Sequence, residues 1–280
     1  MNLSALQTFL TILETGSLVR ASERLNVTQS TVTARLKALE EELGQTLMNR
    51  QKSGVTLTAS GQRLKRYAET MTELWQQARQ ETALPHSVSA VCNIGCHPDL
   101  WPGLGKELFD AIRESQPAVA LSVWQGGQSD LGDWLNSGLT DISLTYWPTL
   151  QGNQTLHRLP VERLILVSTD PAAPVRFDPG YVFVEAGEAF GRAHAVAYSD
   201  ADTAKLSFGS AVLGRDHILE HGGSAYLPER LSAPLIAEGR LHMVKGAPEF
   251  ERPAHLVTND AAARDWPWLD AVLHAITTVQ

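Results

Sequence analysis

Cysteine is nearly absent. Only Cys92 and Cys96 occur in 280 residues. If both lie on one strand, a rise of about 3.3 Å per residue sets them roughly 13 Å apart, beyond the reach of a disulfide. Two thiols followed by His97 also fall short of the four ligands of a structural zinc site. Small buried thiols are expected, with a redox or metal sensor as the alternative. No basic residue precedes Arg20, so a secretory leader is not expected. Apolar runs such as Leu164 to Val167 are strand-length and too short to cross a bilayer. A cytoplasmic protein without membrane contact is the expectation. Catalytic signatures are missing too: there is no Gly-x-x-x-x-Gly-Lys phosphate loop and no Gly-x-Ser-x-Gly elbow. Gly103-Leu104-Gly105 falls inside an expected helix after Pro98, so it is no dinucleotide fingerprint. All nine histidines follow Pro85 but are scattered. His217 and His221, four apart, lack further ligands and read as surface groups. No enzyme, no metal and no cofactor are expected.

Basic charge is scarce overall, with 23 Lys/Arg against 31 Asp/Glu and a net charge of −8. That looks wrong for a nucleic-acid binder until it is divided along the chain. Residues 1–81 hold 10 basic and 8 acidic residues, or +2, and residues 82–280 hold 13 and 23, or −10. Between Arg20 and Arg66 the count is 9 to 4, or +5. Local positive charge is what phosphate binding requires.

That basic stretch contains the most informative pattern. Residues 17–43 read as helix, turn and helix. Thr28 suits the N-cap of the second helix. Val32, Leu36, Leu39 and Leu43 recur at helical spacing and predict a buried stripe. The other face carries Gln29, Ser30, Thr33, Arg35 and Lys37, groups that can reach base edges and phosphates as a recognition helix does. An ordinary amphipathic hairpin with a solvated face is the alternative. Upstream, Leu3, Leu6, Phe9, Leu10 and Leu13 predict a helix ended by Gly16. Downstream, Leu47 to Arg50 and Val55 to Leu57 predict a hairpin around Ser53-Gly54, with Arg50 and Lys52 near its tip as a wing.

These residues in this order resemble the N-terminal winged helix of LysR-type transcriptional regulators: Leu3, Phe9, Ser17, Ala21, Leu25, Thr28-Gln29-Ser30, Val32, Leu36, Leu39-Glu40, Leu43-Gly44, Leu47, Arg50, Leu57-Thr58 and Gly61. The resemblance covers residues 1 to about 80. Met48 stands where the family usually has Phe, Ser22 where it often has Ala, and Ala34 where many members carry a longer polar or basic residue. The first two alter packing, and the third leaves one DNA contact in question. The candidate DNA-binding residues are Arg20, Thr28, Gln29, Ser30, Thr33, Arg35, Lys37, Arg50 and Lys52, with double-stranded promoter DNA as partner.

Thr58 can cap a long helix, on which Leu64, Ala68, Met71, Trp75 and Ala78 alternate spacings of four and three, widened by Tyr67 and Leu74. That heptad seam predicts a dimerisation helix, the alternative being packing on its own domain. Ala83 to Ser87 reads as a hinge. Beyond it, strands and helices alternate. Val88–Gly95, Val119–Trp124 and Ile142–Tyr146, with helices between, predict a parallel βαβαβ lobe. A helix is expected from Pro98 through Leu100, Leu104, Leu108 and Ile112. Leu164–Val167, Tyr181–Val184, Lys205–Phe208, a helix over 210–221, and strands near 225–227 and 241–244 predict a second lobe, followed by a strand crossing back at His255–Thr258 and a C-terminal helix.

The expected architecture is therefore α+β and multidomain: a winged helix-turn-helix (1–58), a linker helix (59–82), a hinge (83–87) and a two-lobed α/β effector domain (88–280) similar to periplasmic binding proteins. Lobe 1 spans about 88–161 and 259–280, and lobe 2 about 162–258. Ligands of open α/β sheets bind beyond the C-terminal strand ends. Here those ends are Cys96-His97, Gln125-Gly126, Tyr146-Trp147, Glu185 and Ser210, and the start of the helix after His97 could receive a carboxylate. A small polar or anionic effector is expected there. The resemblance further implies a homodimer or homotetramer and contact with RNA polymerase. The rival reading is an enzyme or transport-type binding protein fused to a helical domain.

Overall fold

The computed structural model describes residues 2–51, 54–200, 204–264 and 266–278, with the side chains of Arg50, Gln51 and Thr278 excepted. Lys52 and Ser53, where the sequence predicts the wing tip, lie outside these residues. The chain forms two compact units, Met1–Pro85 and His86–Gln280.

The first unit is built from locally specified pieces. Asn2 caps α1 (Leu3–Thr15), and Gly16, at φ 65°, ends it by donating its N–H to the Ile12 carbonyl. α2 (Leu18–Arg24) leads through Asn26, held at φ 52°, into α3 (Gln29–Leu43). Thr28 Oγ1 accepts from Thr31 N at 3.2 Å, the expected cap. Val32, Leu36 and Leu39 join Leu6, Phe9 and Ile12 in one core. Leu43, on the same stripe but in the last turn before Gly44 ends the helix, does not, being 45 % exposed. Strands β1 (Met48–Gln51) and β2 (Gly54–Leu57) pair antiparallel, Met48 opposite Leu57. Glu40 Oε1 accepts from Leu47 N at 2.8 Å and ties the wing to α3. Thr58 caps α4 (Ala59–Thr82) through Gly61 N at 3.0 Å. A side chain at Gly61 would put its Cβ 2.1 Å from the Leu47 carbonyl oxygen, so only glycine lets α4 start against the wing.

Among the described residues the second unit holds three sheets, of five, four and two strands. In chain order its elements are β3 (Ala90–Cys96), α5 (Lys106–Ser115), β4 (Val119–Gln125), α6 (Gln128–Ser137), β5 (Ile142–Thr145), β6 (Gln154–Arg158), β7 (Glu162–Ser168), β8 (Phe183–Val184), α7 (Glu188–Ala197), β9 (Ser207–Phe208), α8 (Ala211–His221), β10 (Ser224–Pro228), α9 (Glu229–Ala237), β11 (His242–Met243), β12 (Phe250–Arg252), β13 (His255–Asn259), α10 (Asp260–Ala263) and α11 (Leu269–Thr278). Lobe 1 has the order β4-β3-β5-β13-β6. β3 runs parallel to β4 and β5, as the alternation predicts, while β13 lies antiparallel between β5 and β6. The chain is thus back in lobe 1 by His255, earlier than the expected boundary at residue 259. Cys92, Ile94, Cys96, Leu108, Ile112 and Leu273 share its core. In lobe 2, β10, β11 and β12 all pair antiparallel with β7, and β8 pairs parallel with β9.

The helix expected from Pro98 starts later. Pro102 (ψ 104°) and Gly103 (φ 106°) are non-helical, so regular helix begins at Lys106. Gly103-Leu104-Gly105 therefore lies on an irregular segment between strand and helix.

Candidate DNA interface and interlobe cleft

Side-chain exposure on α3 sorts the candidate DNA contacts. At about 100° per residue, Gln29, Thr33 and Lys37 advance along one side of the helix, with Ser30 beside them. Gln29, Ser30 and Lys37 are exposed and Thr33 half-buried. Thr28 Oγ1 lies 2.8 Å from Ser30 Oγ, so the cap also orients the first exposed hydroxyl. Arg35 sits roughly 120° around the helix from Gln29, across the buried stripe, and is half-buried. The structure does not bring it to the same arc. Arg20 is exposed on α2. Arg50 lies on β1 opposite Val55.

The seam expected on α4 divides. Ala68 is buried, and half-buried Leu64 packs with it in the first unit's own core. Tyr67, Met71 and Trp75 are 50, 37 and 52 % exposed, and Ala78 is exposed beyond them. The first turns of α4 pack on the first unit's own core, and the exposed apolar surface runs from Tyr67 to Ala78.

In the second unit, the expected cleft residues converge only in part. His97 stacks edge-on against Tyr146 (5.1 Å) and Trp147 (5.6 Å). Trp147 in turn lies against Gly187 of lobe 2, where a Cβ would come 3.0 Å from its ring. Gln125 and Glu185 are exposed, and Glu185 Oε1 accepts from Gly187 N at 2.9 Å. Gly126 is a packing glycine: its Cβ would meet the Trp134 ring at 2.7 Å. Cys92 and Cys96 are buried free thiols, and burial pushes the Cys96 pKa up to about 12, which keeps it protonated and unreactive.

The centre of the cleft is occupied by charges that no local pattern in the sequence marks. Asp99 follows β3 and is 0 % exposed. Its Oδ1 accepts from Ser210 Oγ (2.6 Å), Ala211 N (2.8 Å) and Val212 N (3.3 Å) at the start of α8. Its Oδ2 lies 3.3 Å from Arg252 Nη1. Arg252 is 4 % exposed and its guanidinium carbon sits 3.4 Å from the Tyr146 ring centre, a cation–π contact removed from water. Tyr146 donates to Glu162 at 2.5 Å. Glu162 also pairs with Arg230 Nε, and Arg230 reaches across to the carbonyls of Asp99 (2.5 Å) and Pro102. Gly103 allows this approach, since a Cβ there would touch the Arg230 guanidinium at 3.0 Å. The helix N-terminus at the cleft is thus that of α8, not the one expected after His97.

Burial raises the Asp99 pKa, but the Ser210 and Ala211 hydrogen bonds and the charges of His97 and Arg252 outweigh it, leaving a net depression. His97 goes down to about 4 because burial disfavours the imidazolium. Asp99 N donates to its Nδ1 at 3.2 Å, which suits the neutral ring.

Lobe 2 also contains a cavity of about 790 Å³, lined by Tyr181, Phe183, His194, Tyr198, Arg176 and Lys205 among others. The His194 and Tyr181 rings stack at 5.7 Å, with Nε2 and the phenol oxygen 2.8 Å apart. Arg176 lies over Tyr198 and pairs with Asp200. Among the described residues no group of three His, Cys, Asp or Glu side chains could hold a metal ion, and no helix is long and apolar enough to cross a membrane.

A winged helix-turn-helix with an exposed polar face on its second helix is the architecture of a DNA-binding domain, and a two-lobed α/β unit follows it. Residues 3–62 match the family described as bacterial regulatory helix-turn-helix protein, lysR family. The HTH-type transcriptional regulator HdfR of Escherichia coli O139:H28 is 27 % identical over 260 residues, covering 92 % of this chain and 91 % of that protein. The fold matches full-length CbnR complexed with its target DNA (TM-score 0.71, 16 % identity, 99 % of each chain). It also matches LysG of Corynebacterium glutamicum with bound effector Arg (TM-score 0.54, 18 % identity, 99 and 98 %). Residues 3–62 are thus similar to the DNA-binding domain of the lysR family, and the whole chain shares the fold of full-length regulators of that type.

Proposed function

We propose that this protein is a sequence-specific DNA-binding transcription regulator of LysR type whose C-terminal unit senses a small polar or anionic effector. The observation that carries the reading is the Gln29, Ser30, Thr33 and Lys37 arc, presented at the start of a capped helix on a folded winged helix. Gln29 reads a base edge, since its amide can pair bidentately with adenine. Lys37, Arg20 and Arg50 contact phosphate, with Lys52 adding to the wing, and Arg35 serves a flank of the helix. Two copies pair through Met71, Trp75 and Ala78 of α4, extended by Tyr67. The dimer, or a tetramer of two such pairs, then acts on RNA polymerase. The work is binding and not catalysis, and its place is the cytoplasm, where promoter DNA is. The lobe-2 cavity has the volume of a small-molecule site, with aromatic walls and Lys205 for an anionic group.

The test is a gel shift of the full chain on a promoter fragment and on random DNA of equal length. Gln29→Ala is expected to lose about 1–3 kcal/mol on the promoter and much less on random DNA. Equal losses on both would remove Gln29 from base readout, and no shift of either DNA would sink the regulator reading.

A further inference from the structure

The α8 N-terminus faces lobe 1 with the N–H groups of Ala211 and Val212 and the hydroxyl of Ser210. Arg252 stands beside it, 4 % exposed, and its Nε has no hydrogen-bond partner among the described residues. Such a set of donors, with a positive helix end and a guanidinium in a dry cleft between two lobes, fits a carboxylate. The carboxylate that fills it belongs to the chain itself. Asp99 comes from lobe 1, 111 residues from Ser210 in sequence and 153 from Arg252, and bridges the lobes as a bound acid would.

We propose that Asp99 is a built-in substitute for a ligand carboxylate, which holds the cleft closed and bars carboxylate effectors from it. Arg230 secures the same segment by its backbone, through the Asp99 and Pro102 carbonyls, while Ser210, Ala211, Val212 and Arg252 hold the Asp99 side chain itself. This deepens the regulator reading, on which it rests: the interlobe cleft is set by Asp99, and effector sensing in this chain does not run through a small acid bound there. Asp99 is then the residue that determines what the cleft accepts.

The prediction is chemical rescue. Asp99→Ala leaves the donors in place and opens a hole the size of a carboxylate. The measurement is thermal unfolding of the full-length protein in sodium formate against sodium chloride at equal ionic strength. Wild type is expected to have the same midpoint in both salts. Asp99→Ala should fall by roughly 6–12 °C, as a buried cation loses its partner. It should recover about 3 °C or more in about 100 mM formate by linkage. Asp99→Asn, whose amide occupies the hole, should lose stability and show no formate response. Where Asp99→Ala does not fold, its refolding yield with and without formate takes the place of the midpoint, and recovery in formate is the expected result. A wild type stabilised by formate as much as the variant, or an Asp99→Ala protein indifferent to formate, would overturn the proposal. DNA plays no part in this readout, so its failure and a failure of promoter binding are separate results.

Discussion

The recognition face of α3 and the interlobe cleft use similar side chains in opposite ways. On α3, Gln29 and Ser30 stand in solvent, Ser30 Oγ 2.8 Å from the cap hydroxyl of Thr28, and Lys37 carries a loose ion pair to Glu41 at 3.3 Å. In the cleft, Asp99, Arg252, Glu162, Tyr146 and Arg230 are bound to one another. A polar group that is exposed and lightly committed can be given to a partner at little cost. One that is buried and paired has already made its interaction, and separating it exposes the full desolvation penalty. The two regions therefore differ in what a substitution should do: loss of affinity without loss of stability on α3, and loss of stability in the cleft.

The largest effect that sharpens this contrast is expected at Arg252. Arg252→Met keeps much of the packing on Tyr146 but removes the charge facing Asp99. Breaking a buried pair by removing one partner costs about 3–5 kcal/mol. Here the remaining Ser210 and α8 donors still hold Asp99, which favours the lower end of that range. Thermal or urea unfolding of the C-terminal transition measures it. A change within experimental error would show that the cleft network contributes little and that the contrast with α3 is false.

Next in size is a pH effect from His97, which contacts Asp99, Tyr146, Trp147 and the charge of Arg252. Its folded pKa of about 4 lies below the usual value of 6.5. Between these values the unfolded chain binds more protons than the folded one, so stability rises with pH across that window. The contribution is complete above about pH 6.5 and is lost as pH falls toward 4. The full shift corresponds to about 3 kcal/mol, and roughly half of that is a sober expectation between pH 7 and 5. Asp99, also depressed, adds a loss only at lower pH, as it nears its own folded pKa. Wild type should therefore soften from pH 7 to 5 in thermal unfolding, and His97→Gln should soften less. Identical slopes for the two proteins would remove His97 as the source.

How much of this is legible in the sequence follows from the range of the interactions. The α3 arc can be read from sequence because its causes are local: the Thr28 cap, the recurrence of Val32, Leu36 and Leu39, and the stop at Gly44 all act within a few residues. The wing's tie to α4 is legible as Gly61, whose reason is the 2.1 Å approach to Leu47. The cleft lies where expected, at the ends of β3 and β5, since strand ends follow from topology. Its occupants are not legible, because Asp99 meets Ser210 and Arg252 only through the fold, 111 and 153 residues away. An acid three residues after the end of β3, and an arginine three residues before β13, are the available signals. On α4, periodicity marks one continuous seam, but it cannot say which turns face the chain's own core, and Leu64 and Ala68 do face it. Pro98 suggests a helix start that the backbone of Pro102 and Gly103 postpones.

The smallest expected effect tests the other side of the comparison. Lys37 and Glu41 are 73 and 66 % exposed in their side chains, and an exposed i,i+4 pair contributes about 0.3–0.5 kcal/mol. Lys37→Ala should therefore leave the melting of the N-terminal unit nearly unchanged, since alanine also favours helix. Its effect belongs to DNA. With one phosphate no longer neutralised, affinity should fall on promoter and random DNA alike. The slope of log affinity against log salt should shrink by about 1. Glu41→Ala is the control: it breaks the same ion pair but frees Lys37, so it should match Lys37→Ala in stability while keeping or raising DNA affinity. If both variants weaken DNA binding equally, the ion pair shapes α3 and Lys37 does not touch phosphate. If only Lys37→Ala does so, the charge on this arc serves the partner and not the fold.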